Sequence, residues 1–133
     1  MRKYIIVPVF LAVVLVMMCH CTSDRKATVP ANEYLIQGEL ANLSDSIVMY
    51  VDEGNIFNLV ARDTLLNGKF SFRDTVSVTK KMLIMSDNKG FPGTWLEVWI
   101  APGEYIEIKG EDKLLKTWEV VSDIPEQAEE NRF

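Results

Sequence analysis

An alternation of apolar and polar side chains with a period of two constrains the fold of this chain more than any other feature. It is clearest in the segment Thr94–Lys109, TWLEVWIAPGEYIEIK. Successive side chains of a β-strand leave opposite faces of the backbone, so the alternation predicts two strands, each with one face directed to a core. The first strand has Leu96, Val98 and Ile100 on one face and Trp95, Glu97 and Trp99 on the other; the second has Ile106 and Ile108 against Tyr105, Glu107 and Lys109.

Tight turns separate the predicted strands. Pro102 presets φ at a turn corner and Gly103 allows a positive φ at the next, so together they predict a hairpin within Thr94–Lys109. Asn67-Gly68 predicts a second hairpin, because both residues tolerate the positive φ of a type I′ turn. The other predicted strands are Tyr34–Leu40, Ser46–Asp52, Leu59–Thr64, Lys69–Asp74, Lys81–Met85 and Trp118–Val121.

The spacing of these strands predicts the class of fold. Strands that recur every 8–12 residues or so, with turns between them, are typical of a sandwich or a barrel. Alternation with one apolar face favours antiparallel sheets. We therefore expect an all-β fold over residues 33–122, an antiparallel β-sandwich of about seven to eight short strands. A short helix is expected in residues 123–133, with Asp123 as its N-cap and Glu126 completing a capping box.

The N-terminus resembles a bacterial lipoprotein signal. Arg2 and Lys3 form a basic start, and the apolar run Ile5–Met18 is shorter than a comfortable bilayer span. Cysteine follows at Cys19 and at Cys21, and in such signals the cysteine becomes the first mature residue and carries lipid. We expect residues 1–21 to be the signal segment, 22–32 to be a flexible tether, and the chain to be anchored in the cell envelope by its N-terminal lipid.

The choice between the two lipidation candidates, Cys19 and Cys21, rests on their neighbours. Such signals prefer a small residue just before the cysteine, and neither candidate has one: Cys19 follows Met18, with Val16 suitably apolar three residues before it. Cys21 follows His20, a poor fit, but precedes the polar run Thr22–Asp24. This favours Cys19 slightly. An ordinary cleaved secretion signal and an uncleaved single-pass anchor remain alternatives.

The charge of the chain bears on its partners. Arg2 and Lys3 are two of the 14 basic residues, so the remainder carries 12 basic against 19 acidic residues, a formal charge of −7. An acidic surface repels phosphate backbones, so nucleic-acid binding is not expected.

Few constellations for catalysis or metal binding can be built from this sequence. Both cysteines and the only histidine lie together in Cys19-His20-Cys21, a spacing too cramped to wrap one tetrahedral zinc ion. A nucleophile–histidine pair would have to use His20. We therefore expect no metal site, no cofactor and no enzymatic activity.

One cluster stands out as a candidate site. Glu97 lies between Trp95 and Trp99 on one predicted face. Aromatic side chains that flank a carboxylate can pack inside the domain, dock a partner, or hold a sugar ring or a cation. Glycoside hydrolysis needs a second carboxylate at a defined separation, and Glu107 would be the candidate if it lay across the predicted hairpin.

The order of several short motifs resembles the DUF4369 domain, found at the N-terminus of many thioredoxin-like lipoproteins of Bacteroidetes. The resemblance covers roughly Glu33 to Val121. The matching motifs are Tyr-x-Ile-x-Gly-x-Leu at Tyr34–Leu40, Val-Met-Tyr at Val48–Tyr50, Asp63-Thr64 before Asn67–Phe72, and Ala-Pro-Gly-Glu-Tyr-Ile at Ala101–Ile106. The resemblance implies that the protein is located in the cell envelope and that this region forms a β-domain. In such proteins a helical segment and a thioredoxin-like domain with a CxxC pair follow, and this chain has no CxxC.

These observations lead to one expected function and two alternatives. We expect a noncatalytic envelope lipoprotein domain, facing the periplasm or the cell surface, that binds or positions a thioredoxin-like protein or another envelope protein. The first alternative is the N-terminal part of a longer thiol–disulfide oxidoreductase. The second is a module that binds a small ligand or glycan through Trp95 and Trp99.

Overall fold

Two four-stranded β-sheets pack face to face in this protein. A computed structural model describes residues 26–54, 58–92 and 94–133. The expected all-β sandwich of seven to eight strands with a short C-terminal helix is confirmed over these residues. The strands are β1 Glu33–Leu40, β2 Val48–Asp52, β3 Leu59–Thr64, β4 Lys69–Thr75, β5 Lys80–Met85, β6 Leu96–Ile100, β7 Tyr105–Gly110 and β8 Glu119–Val121, and the helix is α1 Pro125–Glu130.

The sheets have the strand orders β4-β1-β7-β8, which we call the first sheet, and β3-β2-β5-β6, the second. Five of the six pairings between these strands are antiparallel. The pairing of β1 with β7 is parallel, with Leu35 opposite Tyr105 and Leu40 opposite Gly110. The sheets are thus mainly antiparallel, as expected. The one parallel pairing arises because the chain reaches β7 from β6 in the other sheet and not through a turn from β1.

One apolar core lies between the sheets, as the period-two alternation predicts. Both sheets contribute side chains that are fully buried, and burial of each such side chain stabilises the fold by about 1.5–3 kcal/mol. They include Ile36, Ile106 and Ile108 from the first sheet and Met49, Val51, Met82, Ile84, Val98 and Ile100 from the second.

The predicted hairpin at Pro102-Gly103 is wrong, although the turn itself is present. Gly103 has a φ of 77°, and Glu104 N donates to Ala101 O at 3.2 Å. However, β6 belongs to the second sheet and β7 to the first, so the turn carries the chain across the core. Glu107 consequently lies on the outer face of the first sheet and not across a hairpin from Glu97.

The Asn67-Gly68 turn also joins the two sheets. Asn67 and Gly68 have φ values of 52° and 74°, and Leu66 and Lys69 exchange backbone hydrogen bonds of 3.1 and 3.0 Å. The predicted two-residue turn is present, but β3 and β4 then diverge into different sheets. The turn therefore closes one lateral edge of the sandwich covalently.

Helix α1 covers part of the opposite edge, where β6 and β8 are the outermost strands. Its N-cap is Ile124, with no side-chain hydrogen bond, so the predicted Asp123 cap is wrong. The Asp123 carboxylate pairs instead with the ammonium of Lys26. Pro125 occupies the first turn as predicted. In the ranges that the structure describes, no helix is long and apolar enough to span a membrane.

The residues before β1 are partly tied to the sandwich. Glu33 N donates to Pro30 O at 3.0 Å, and Val76 N donates to Asn32 O at 2.9 Å. The predicted signal segment 1–21, with Cys19 and Cys21, and the start of the predicted tether, 22–25, lie outside the described residues.

Candidate functional site

The three candidate residues, two in β6 and one just before it, lie together on the outer face of the second sheet, but their environments differ. Trp95, just before the strand, is 41% exposed, whereas Glu97 and Trp99 are half-buried. The strand alternation places all three side chains on one face, as the sequence predicts.

Trp99 is covered by side chains from β5 and α1. Lys81 lies directly opposite Trp99 in the sheet, and its Nζ is 5.5 Å from the centre of the indole ring. The indole Nε1 donates to Glu130 Oε2 at 3.4 Å. Trp99 therefore packs within the domain and holds the helix against the sheet.

Lys81 bridges two carboxylates on this face. Its Nζ lies 2.7 Å from Glu97 Oε2 and 3.0 Å from Glu130 Oε2. Hydrogen bonds to Glu97 and Glu130 raise the pKa of Lys81 above its ordinary value. Hydrogen bonds with Glu97, Lys81 and Trp99 hold the pKa of Glu130 below its ordinary value. All three charged groups are about one-third exposed, so solvent screens the ion pairs and their contribution to stability is small.

A chain of amide hydrogen bonds links the two sheets through α1. Gln127, only 1% exposed, accepts from the backbone N–H of Trp99 at 2.8 Å. Its Nε2 donates to Asn131 Oδ1 at 3.0 Å, and Asn131 Nδ2 donates to Val120 O at 2.9 Å. The Gln127 side chain thus bonds a backbone N–H of β6, and the Asn131 side chain bonds a backbone carbonyl of β8. These two bonds position α1 between the edge strands.

An open groove of about 930 Å³ lies between these edge strands, beside α1. Trp95, Leu96 and Glu97 form one wall. The remaining lining comes from Thr94, Lys116, Trp118, Glu119, Val120, Gln127, Glu130, Asn131 and Phe133. The groove thus combines an exposed indole with several carboxylates, a lining suited to another polypeptide.

A second, smaller recess of about 630 Å³ lies over the outer face of the first sheet. Asp63, Ser71, Tyr105 and Glu107 are among the residues that line it. The Asp63 carboxylate already accepts the backbone N–H groups of Thr64 at 2.9 Å and Ser71 at 2.7 Å. This carboxylate therefore holds the chain near the Asn67-Gly68 turn.

The carboxylate beside Glu97 is that of Glu130, which shares Lys81 Nζ with it, and not the one expected from the sequence. Glu107, the candidate second carboxylate, lies on the other sheet, where Lys109 Nζ is 3.2 Å from it. Among the described residues, no three histidine, cysteine or acidic side chains are placed to hold a metal ion. The cysteines and His20 fall outside these ranges.

Sequence reasoning missed Lys81, Gln127, Glu130 and Asn131 as part of this face. Nothing in the sequence relates β5 to α1, since β5 ends 40 positions before α1 begins and the two meet only through tertiary packing. A buried polar residue such as Gln127 in an otherwise polar helix leaves no signal in the alternation of side chains.

Comparisons with protein-family models, with curated proteins and with solved structures find no match to this chain.

Proposed function

We propose that this chain is a noncatalytic lipoprotein domain of the cell envelope that binds or positions a partner protein. The observation that carries the proposal is Trp95, a large aromatic side chain left 41% exposed on the wall of an open groove. Tryptophan is enriched at the centre of protein interfaces, where its area and its N–H both contribute to binding. The resemblance to DUF4369 domains suggests a thioredoxin-like envelope protein as the partner.

Site-specific photo-crosslinking tests this proposal. A photoreactive amino acid at position 95 of the full chain, expressed in its own host, should form an adduct with one envelope protein. The matched control places the same amino acid at Leu66, which is 66% exposed at the opposite edge of the sandwich. A thioredoxin-like adduct from position 95 alone supports the proposal. Identical adducts from both positions, or none from position 95, would contradict it.

Glycan binding between two tryptophans has less support from the geometry. A sugar ring stacked between Trp95 and Trp99 would need both indole faces, and Lys81 already occupies one face of Trp99. Titration of the chain with a panel of glycans, followed by tryptophan fluorescence, separates the two functions. Saturable quenching by a glycan that disappears in Trp95→Ala would favour the glycan-binding function instead.

A further inference from the structure

The edge of β6 beside the groove presents backbone groups that the other described residues leave unpaired. In an antiparallel pair, directly opposite residues alternate between two that exchange both hydrogen bonds and two that exchange none. Lys81 and Trp99 are directly opposite, and the N–H of Trp99 points away from β5, to Gln127 Oε1. The Lys81–Trp99 pair is therefore one of those that exchange no hydrogen bonds.

The same alternation decides the direction of the Glu97 backbone. Glu97 is two residues from Trp99, so its N–H and C=O also point outward from the sheet. Within residues 26–54, 58–92 and 94–133, neither group has a hydrogen-bond partner. An outward N–H and C=O at the edge of a sheet are a template for another strand.

Helix α1 protects only the far end of this edge. Gln127 takes the outward N–H of Trp99, and Asn131 takes the outward carbonyl of Val120 on β8. The stretch from Trp95 to Glu97 lies beyond this cover and forms a wall of the groove. The unprotected edge and the exposed indole are thus on the same short stretch of chain.

The charges at the groove define the chemistry of an incoming strand. Glu97, Glu119 and Glu130 line it, against Lys116 alone among the basic residues of the lining. Lys81, nearby, is already shared between Glu97 and Glu130. The complete chain has a formal charge of −5, so charge repulsion disfavours a second copy as the occupant.

We propose that the partner docks by strand addition: an extended segment of it, carrying basic side chains, pairs with the outer edge of β6 at Trp95–Glu97. The segment forms main-chain hydrogen bonds to Glu97. Its basic side chains lie on the same face of the sheet as Glu97, beside the Trp95 indole and the carboxylates of Glu97 and Glu130, and its apolar side chains leave the opposite face. This inference rests on the proposed function, because it specifies how the partner-binding domain holds its partner.

Three synthetic peptides test the chemistry of the occupant. The probe is a fluorescein-labelled (Val-Lys)4 peptide, the charge control is (Val-Glu)4, and the backbone control is (Val-Lys)4 with every backbone amide N-methylated. We expect (Val-Lys)4 to bind the full chain at least about tenfold more tightly than either control, since losing one or two hydrogen bonds or reversing the charge each costs about this factor. Equal binding of all three would overturn the proposal.

A pair of variants at Glu97 tests the site. Glu97→Pro removes the outward N–H while leaving the inward hydrogen bonds of Leu96 and Val98 to β5 intact, and Glu97→Ala removes only the side chain. We expect Glu97→Pro to weaken binding of (Val-Lys)4 about tenfold relative to Glu97→Ala. Equal affinities would overturn the proposal. Hydrogen exchange gives an independent reading in the unaltered chain: the amide of Glu97 should become protected when the peptide binds, and unchanged exchange would also overturn it.

Combining the photo-adduct from position 95 with the variants at Glu97 distinguishes a failure of strand addition from a failure of the proposed partner binding. If the photo-adduct from position 95 forms equally in Glu97→Pro and Glu97→Ala, partner binding stands and strand addition is wrong. If Glu97→Pro abolishes self-association in sedimentation and leaves peptide binding unchanged, the occupant is a second copy and the proposed basic segment is wrong. Loss of both the adduct and the peptide in Glu97→Pro alone supports the proposal.

Discussion

At the scale of single residues, Trp99 in β6 and Trp95 just before it have different roles although they lie on one face. Trp99 is half-buried beneath Lys81 and α1, and Trp95 remains 41% exposed. Gln127 is a third distinct position, since it is a polar side chain with 1% exposure whose amide oxygen satisfies an edge-strand N–H. Substitutions at Trp99, Trp95 and Gln127 should therefore affect packing, partner binding and helix docking separately.

Replacing each tryptophan by alanine should separate packing from binding. Trp99→Ala removes contacts under α1 and should lower the free energy of unfolding by about 2 kcal/mol, less than a fully buried tryptophan. Trp95→Ala should change it by no more than about 0.5 kcal/mol. Urea denaturation of the two variants measures both values. A larger loss in Trp95→Ala would mean that this side chain supports the fold, and the argument for a binding role would fail.

Gln127→Ala should detach α1 from the edge of β6. The substitution leaves the N–H of Trp99 without its acceptor, and such a loss costs about 1–3 kcal/mol. Hydrogen exchange at the Trp99 amide should accelerate, together with a lower midpoint in urea. Glu126→Ala, an exposed position on the same helix, is the control and should leave both measurements close to those of the parent chain. Similar effects from the two substitutions would show that the helix, not the amide, protects Trp99.

Protonation should weaken the ion pairs around Lys81. The pKa of Glu130 is held below 4.5, so its contribution to stability is present above that pH and is lost as the pH falls through the lowered value. The pKa of Lys81 is raised above 10.5, so its contribution is present below that pH and is lost as the pH rises through the raised value. The ion pairs therefore contribute between these two limits.

The urea midpoint measured as a function of pH checks this expectation. The parent chain should lose more stability than Lys81→Met on acidification below about pH 4.5. The difference should be small, because the groups are about one-third exposed and screened by solvent. Parallel pH profiles for the two proteins would contradict the assigned role of Lys81.

At the scale of elements, two tight turns decide how the strands are distributed between the sheets. Asn67-Gly68 joins β3 to β4, and Pro102-Gly103 joins β6 to β7, and in both cases the chain changes sheet. Helix α1 is the third such element, because its Gln127–Asn131 pair connects the remaining edge strands. The groove consequently lies at the lateral edge formed by β6 and β8, whereas the Asn67-Gly68 turn closes the edge formed by β3 and β4.

Gly68→Ala should be more damaging than its backbone conformation alone implies. Gly68 has a φ of +74°, and a Cβ there would lie 2.4 Å from Leu40 O. Gly54, with a φ of +90° and open space around it, is the matched control. Gly54→Ala should cost about 1–2 kcal/mol for the left-handed backbone, and Gly68→Ala at least about 1 kcal/mol more for the clash. Equal losses in thermal or urea unfolding would show that the turn shifts to relieve the contact.

At the scale of the whole molecule, the expected arrangement is a lipid anchor, a tether and a β-sandwich. Cys19 and Cys21 precede the first described residue, Lys26, by only a few positions. Lys26 then contacts Asp123 just before α1, so the tether is expected to enter the sandwich close to the helix that borders the groove. A lipidated N-terminus would place the groove within reach of partners at the same membrane.

Metabolic labelling with a radioactive fatty acid tests the anchor. The full chain should incorporate label, Cys19→Ala should abolish incorporation, and Cys21→Ala should retain it. The reverse pattern would move the lipid to Cys21. Absence of label from the parent protein would contradict a lipoprotein; a shortened product would then favour an ordinary cleaved secretion signal, and an uncleaved product a single-pass anchor.

The sequence by itself determines which side of each strand faces the core, because a period of two follows from backbone geometry and burial of apolar side chains. The alternation around Val98 and Ile106 and the turn at Asn67-Gly68 are therefore predictable from neighbours in the chain. Only the tertiary structure decides which strand lies beside which. A turn that folds back within a sheet and one that crosses to the opposite sheet keep the same apolar faces inward, so Pro102-Gly103 is compatible with both. The contacts of Lys81, Gln127 and Glu130 likewise depend on long-range packing, which local patterns do not encode.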